Sequence, residues 1–165
     1  MSQYIHFFVR STDRLLPIRT ASRSSSIYQF FCEFAPYEKV RAISMGMLHE
    51  IRKTISEQID TWTQQIEEER KDLQLIAFFT NSVEDKIEAM KSAREALRGR
   101  EEIVEEMKAA LVFTHFLMDM YEEAEDSNYC DKEGVRIDPT KYLYFGIECD
   151  TPSIAEIEEW ENSKN

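Results

Sequence analysis

Two histidines are the first candidates for chemistry. Glu50 adjoins His49, and Asp119 lies one helical turn beyond His115. Inward-facing histidines and carboxylates are what helix bundles use to hold metals. The spacing argues against that use. Val112 stands where a Glu-x-x-His ligand pair would need a carboxylate, and no His-Glu-x-x-His occurs. The expectation is a hydrogen-bonded histidine at the edge of an apolar core, with no metal and no other cofactor. Whether His49 and His115 meet is left open.

Nucleophilic and phosphate chemistry find no better footing. There is no Gly-x-Ser-x-Gly, no phosphate loop and no dinucleotide fingerprint, and the four glycines are scattered at 46, 99, 134 and 146. The cysteines, Cys32, Cys130 and Cys149, are odd in number and widely spaced. That fits a reducing compartment better than a disulfide framework, although a Cys130–Cys149 pair stays open. The expectation is that the protein is not an enzyme.

Arg10, Arg14, Arg19 and Arg23 lie in one short segment. They could form a small anion-binding patch, or simply be solvated or paired with the acidic tail. Arg19-Thr20-Ala21-Ser22 and Arg23-Ser24-Ser25-Ser26 resemble basic-directed phosphorylation sites, and a loop of that composition accounts for them equally. The net charge is −12 over 165 residues. Residues 1–53 carry eight Lys/Arg against four Asp/Glu, and the remainder twelve against twenty-eight. Such a balance disfavours direct binding to nucleic acid or an anionic membrane. Residues 119–161 hold fourteen Asp/Glu and three Lys/Arg. They solvate the surface, or imitate phosphates to occupy a basic protein groove.

The elements that would position these groups follow from periodicity. Charged residues make up 32% of the chain, with only four glycines and four prolines. That composition suits long solvated helices. Residues 3–10 read as a strand. Residues 11–25 read as a loop, with a second short strand near Leu15–Arg19. Ser26 with Gln29 forms a capping-box pattern before a short helix from Ile27 to Phe34. From Tyr37 a helical period takes over through Ile51, Ile55, Ile59, Trp62, Ile66, Leu73 and Ile76. Gly46 marks a kink or a close packing point. After Phe79-Thr80-Asn81-Ser82 a second helix shows Val83, Ile87, Met90, Leu97, Val104, Leu111, Met118 and Tyr121, a regular heptad.

Helices over 37–79 and 82–125, joined by a short turn, must run antiparallel. A register centred on the turn sets Trp62 across from Ala96 and Gly99. The segments Val40–Ile51 and Ala109–Met118 are apolar on nearly every face and should be buried all round. Residues 125–139 form a polar loop, 141–149 a second strand that pairs with the first, and Ile154–Trp160 a last helix capped by Thr151 or Ser153.

The fold class expected is therefore α+β. One domain over residues 1–165 would consist of a coiled-coil-like helical hairpin with a two- or three-stranded antiparallel sheet and short helices at its base. That base would comprise 1–50 and 105–160, and a protruding arm about 51–104. No stretch approaches the ~20 apolar residues of a membrane span. The first residues lack the pattern of a signal peptide, and a cytoplasmic location is expected.

Two helices alone cannot hide Leu75, Ile76, Phe78 and Phe79 at the turn, and exposed apolar patches usually mark an interface. The leading expectation is an interaction or scaffolding protein acting as a homo-oligomer, a dimer. It would work through Trp62, Leu75, Ile76, Phe78 and Phe79, with a further protein partner open. The alternative is an acidic decoy or inhibitor, of the phage-encoded or immunity type. A metal-dependent enzyme using His49 and His115 ranks last.

Overall fold

The computed structural model describes residues 3–10, 15–34, 40–79, 82–125, 143–148 and 153–164. The elements are β1 (Tyr4–Arg10), β2 (Leu15–Ser22), α1 (Ser26–Phe34), β3 (Val40–Ala42), α2 (Met45–Phe79), α3 (Val83–Glu125), β4 (Leu143–Glu148) and α4 (Ile154–Lys164). The class is α+β with a helical hairpin of α2 and α3. The chain divides into two compact units, one of residues 1–52 with 112–165 and one of residues 53–111.

In the first unit the strands form one antiparallel sheet in the order β2-β1-β4-β3. The expected pairing of the first and last strands is present, with Tyr4 opposite Glu148 and Phe7 opposite Phe145. Four strands replace the two or three expected. β2 is longer than read, and β3 lies where a helix was read from Tyr37. The chain enters α2 only at Met45, because Ser44 supplies the cap that ends the extended run.

β1 is covered on both faces, as its nearly continuous apolar sequence requires. Successive strand residues point to opposite faces. The Phe7 ring meets Phe31 of α1 and Phe113 of α3 edge-on, each at 4.8 Å between centroids. Phe8 packs with Val40 and Ile157. A bulge between Phe7 and Phe8 takes up one extra residue of β2 around Pro17, a residue that suits an edge strand because it lacks an N–H.

Each of the four helices among the described residues starts on a serine. The hydroxyl oxygens of Ser25, Ser44, Ser82 and Ser153 accept from the backbone N–H three residues on, at 3.1, 3.1, 3.3 and 3.3 Å. Each satisfies one of the otherwise unpaired N–H groups of a first turn. Ser153 adds the reciprocal half, since its N–H donates to Glu156 Oε2 at 2.7 Å. The cap of α1 is Ser25, one residue before the expected Ser26, which is buried instead. Gly46 sits in the first turn of α2, exposed, and marks neither a kink nor a tight contact.

Ala109–Met118 departs from the expectation of burial all round. Phe113, Leu117 and Met118 are buried, but Val112 and Phe116 face solvent. They lie four residues apart, so they share an outward stripe of α3. No helix among the described residues is long and apolar enough to cross a membrane.

Candidate interaction surface of the hairpin

Among the described residues the second unit is helical apart from Ser82, with Lys53 onward in α2 and up to Leu111 in α3. Among the described residues its buried apolar side chains are Ile55, Ile66, Val104, Met107 and Ala110, and those half-buried include Ile59, Trp62, Leu73, Met90, Ala93 and Leu97. This is the seam the heptads pointed to, with two additions. The steps from Ile66 to Leu73 and from Leu97 to Val104 each skip one seam position. Those positions hold Glu69 and Arg100, half-buried and joined as an ion pair. The Arg100 guanidinium also lies 6.0 Å from the centre of the Trp62 ring. An arginine can occupy a seam in this way because its apolar stem packs while its head finds charge and an aromatic face. Arg70 and Glu101 add a second cross-helix pair at 2.6 Å.

This arrangement corrects the expected surroundings of Trp62. Ala96 and Gly99 are exposed, and nothing lies within 4 Å of where a Gly99 Cβ would stand. The face of α3 turned to α2 is that of Leu97, Arg100 and Val104. The expected pairing came from the register centred on the turn, which counts levels along the helices and not which face each residue takes.

The turn end of the unit is the more exposed part. Ser82 begins α3, and Glu84 and Asp85 follow in its first turn, where negative charge suits the helix dipole. The last turn of α2 has no cation to match its own dipole and is apolar instead. Phe78 is 86% exposed, Val83 73%, Ile87 64% and Leu75 52%. Of the five expected interface residues, Leu75 and Phe78 therefore present open apolar surface, and Trp62 lies along the seam. The side chains of Ile76 and Phe79 lie outside the described residues. Val83 and Ile87, read from sequence as seam positions, belong to the exposed set. Next to them an open groove of about 460 Å³ runs along α3, lined by Ile87, Met90, Lys91, Arg94, Glu95 and Arg98.

The other candidates come to less. His49 is exposed and His115 half-buried, and neither makes a hydrogen bond or ion pair among the described residues. The hydrogen-bonded core histidine expected there is not what His115 provides. Among the described residues no group of three or more His, Cys, Asp or Glu is placed to share a metal ion. Cys32 is a free, half-buried thiol; burial pushes its pKa up, opposed by a Tyr28 hydrogen bond and the Arg23 charge. Such a thiol is a weak nucleophile at neutral pH. Cys130 and Cys149 lie outside the described residues. Of the four arginines, Arg19 rests 5.0 Å from the Phe113 ring centre. Arg14 and the Arg10 side chain fall outside the described residues, as does most of the acidic stretch after Glu125.

Comparison with known protein families, with characterised proteins and with solved structures found no match.

Proposed function

We propose that this chain is a non-enzymatic interaction or scaffolding protein that acts as a homo-oligomer through its helical hairpin. The observation that carries this reading is the solvent exposure of Phe78, together with Leu75, Val83 and Ile87 at the same end of one small unit. Covering a phenylalanine side chain is worth about 1.5–3 kcal/mol, so several large apolar groups left open favour association. The unit has reason to gain from it. Each of its helices hides only one stripe, and a two-helix assembly of this kind is marginal unless further helices cover it. A second copy supplies them under two-fold symmetry, the commonest arrangement of soluble oligomers. A cytoplasmic setting goes with this reading.

The test is sedimentation velocity on the whole chain and on Phe78→Asp. The wild type should self-associate and the variant sediment as a monomer, with unchanged circular dichroism. A wild type that stays monomeric as its concentration is raised overturns the proposal.

A further inference from the structure

We infer that the open border of β2 takes up an extended acidic segment of a partner protein as a fifth, antiparallel strand, held by the backbone of Thr20 and Ser22 and by the side chains of Arg19 and Arg23. The surface belongs wholly to the sheet unit, and its test is independent of self-association through the hairpin.

The backbone sets the site. β2 is paired on one side only, by β1. The Arg23 N–H donates to the Gln3 carbonyl at 2.9 Å, which makes those two residues a hydrogen-bonded pair. Such pairs alternate along an antiparallel ladder. Ala21 with Ile5 and Arg19 with Phe7 are therefore bonded pairs, whereas Ser22 with Tyr4 and Thr20 with His6 are not. The Thr20 hydroxyl and His6 Nδ1 stand 3.1 Å apart, the close side-chain approach of the second kind of pair. Thr20 accordingly turns its N–H and its C=O away from β1, and Ser22 its N–H. The Ser22 C=O is already taken, accepting from Ser25 in the turn that follows. Thr20, Ser22, Arg19 and Arg23 are all exposed, so the border is open here. Pro17, with no N–H to offer, and the turn at Ser25 limit the stretch at its two ends, which leaves room for one short strand.

The side chains set the partner. Arg19, Ala21 and Arg23 share the face of Phe7, the one covered by α1 and α3. Ala21 is buried, and the two arginines flank it. Neither arginine has an ion pair among the described residues. The sequence holds no acidic residue between Asp13 and Glu33, so this is a patch of one sign in a chain of net charge −12. Arg19 lies over the Phe113 ring, and Phe113 stacks with Phe116 at 6.1 Å between centroids. Phe116 and Val112 thus add exposed apolar surface beside Arg19, up to Asp119 one turn on. A strand added about 4.8 Å outside β2 presents alternate side chains to this face. Charge complementarity calls for carboxylates opposite Arg19 and Arg23, with an apolar residue between them opposite Ala21. A second copy of β2 fits poorly, because two-fold pairing about Thr20 makes the two Arg19 side chains diagonal neighbours of like charge.

The probe is the blocked heptapeptide Thr-Glu-Thr-Leu-Thr-Glu-Thr, titrated into the whole chain and followed by amide NMR. Shifts should concentrate at residues 20–23, and the Thr20 N–H should exchange more slowly. A peptide with lysine for both glutamates should not bind, nor should one N-methylated at the two threonines beside leucine, whose N–H groups face β2. Arg19→Glu/Arg23→Glu should bind the acidic peptide about tenfold more weakly and take up the lysine peptide instead, which also shows that the variant is folded. Absence of shifts at residues 20–23 overturns the proposal, and so does equal binding by the lysine or the N-methylated peptide. A Thr20 N–H that is already protected without peptide, and loses that protection on dilution, means that a second copy occupies the border and overturns it as well.

Discussion

The sheet unit and the two-helix unit bury their side chains very differently. Of the twenty-two buried apolar residues among the described ones, seventeen fall in residues 1–52 and 112–165, and five in residues 53–111. In the sheet unit β1 is packed on both faces by elements from distant parts of the chain. In the two-helix unit each helix has one covered stripe, and charge takes over where apolar packing stops. The first is stable through long-range burial; the second gains most from something that covers it.

Truncation at matched depth measures that difference. Phe7→Ala should cost the most, about 3–5 kcal/mol, because the ring touches α1 and α3 and a cavity there cannot collapse easily. A melting temperature or denaturant midpoint reads it; a loss near that of a surface change would break the contrast. Ile66→Ala should cost about 2 kcal/mol, the low end for such a truncation, because its surroundings are half-open. Hydrogen exchange should quicken across residues 53–111 and leave the β1 amides slow. If both regions quicken together, the two units unfold as one.

Smaller effects sharpen the picture of the seam. Arg100→Ala removes a partly exposed ion pair and a cation–π contact, and should cost about 1 kcal/mol. A double-mutant cycle with Glu69→Ala should return coupling between the two, whereas strict additivity would mean the pair only decorates the surface. Gly99→Ala should be the mildest change and a favourable one, gaining about 0.5–1 kcal/mol, since the new methyl meets nothing and alanine holds a helix better. A destabilised Gly99→Ala protein would mean that this face is occupied.

Much of this was legible from spacing. The heptads found α2 and α3, their turn at Ser82 and most of the seam. Alternation and β-branched residues found β1 and β4 and their pairing. What escaped has physical causes. Val40–Ala42 is too short for alternation to show, and its apolar residues merge into the helical period that follows. Arg100 and Glu69 were invisible in the seam because only their partnership makes them fit there. Val112 and Phe116 sit in a run so apolar that no face stood out, so their exposure required the actual packing around Phe113. For the interaction surface, composition at the turn pointed to Leu75 and Phe78.

Pro17 has a consequence for how this protein behaves in a crowd. β2 is one open border of the sheet, and the border on the other side is the three-residue β3. A free strand border invites neighbouring molecules to zip on and grow into fibrils. The missing N–H at the third residue and the bulge beside it interrupt that template in the first half of β2. Growth by strand addition is thus discouraged at the longer border, which bears on how the protein tolerates high concentration.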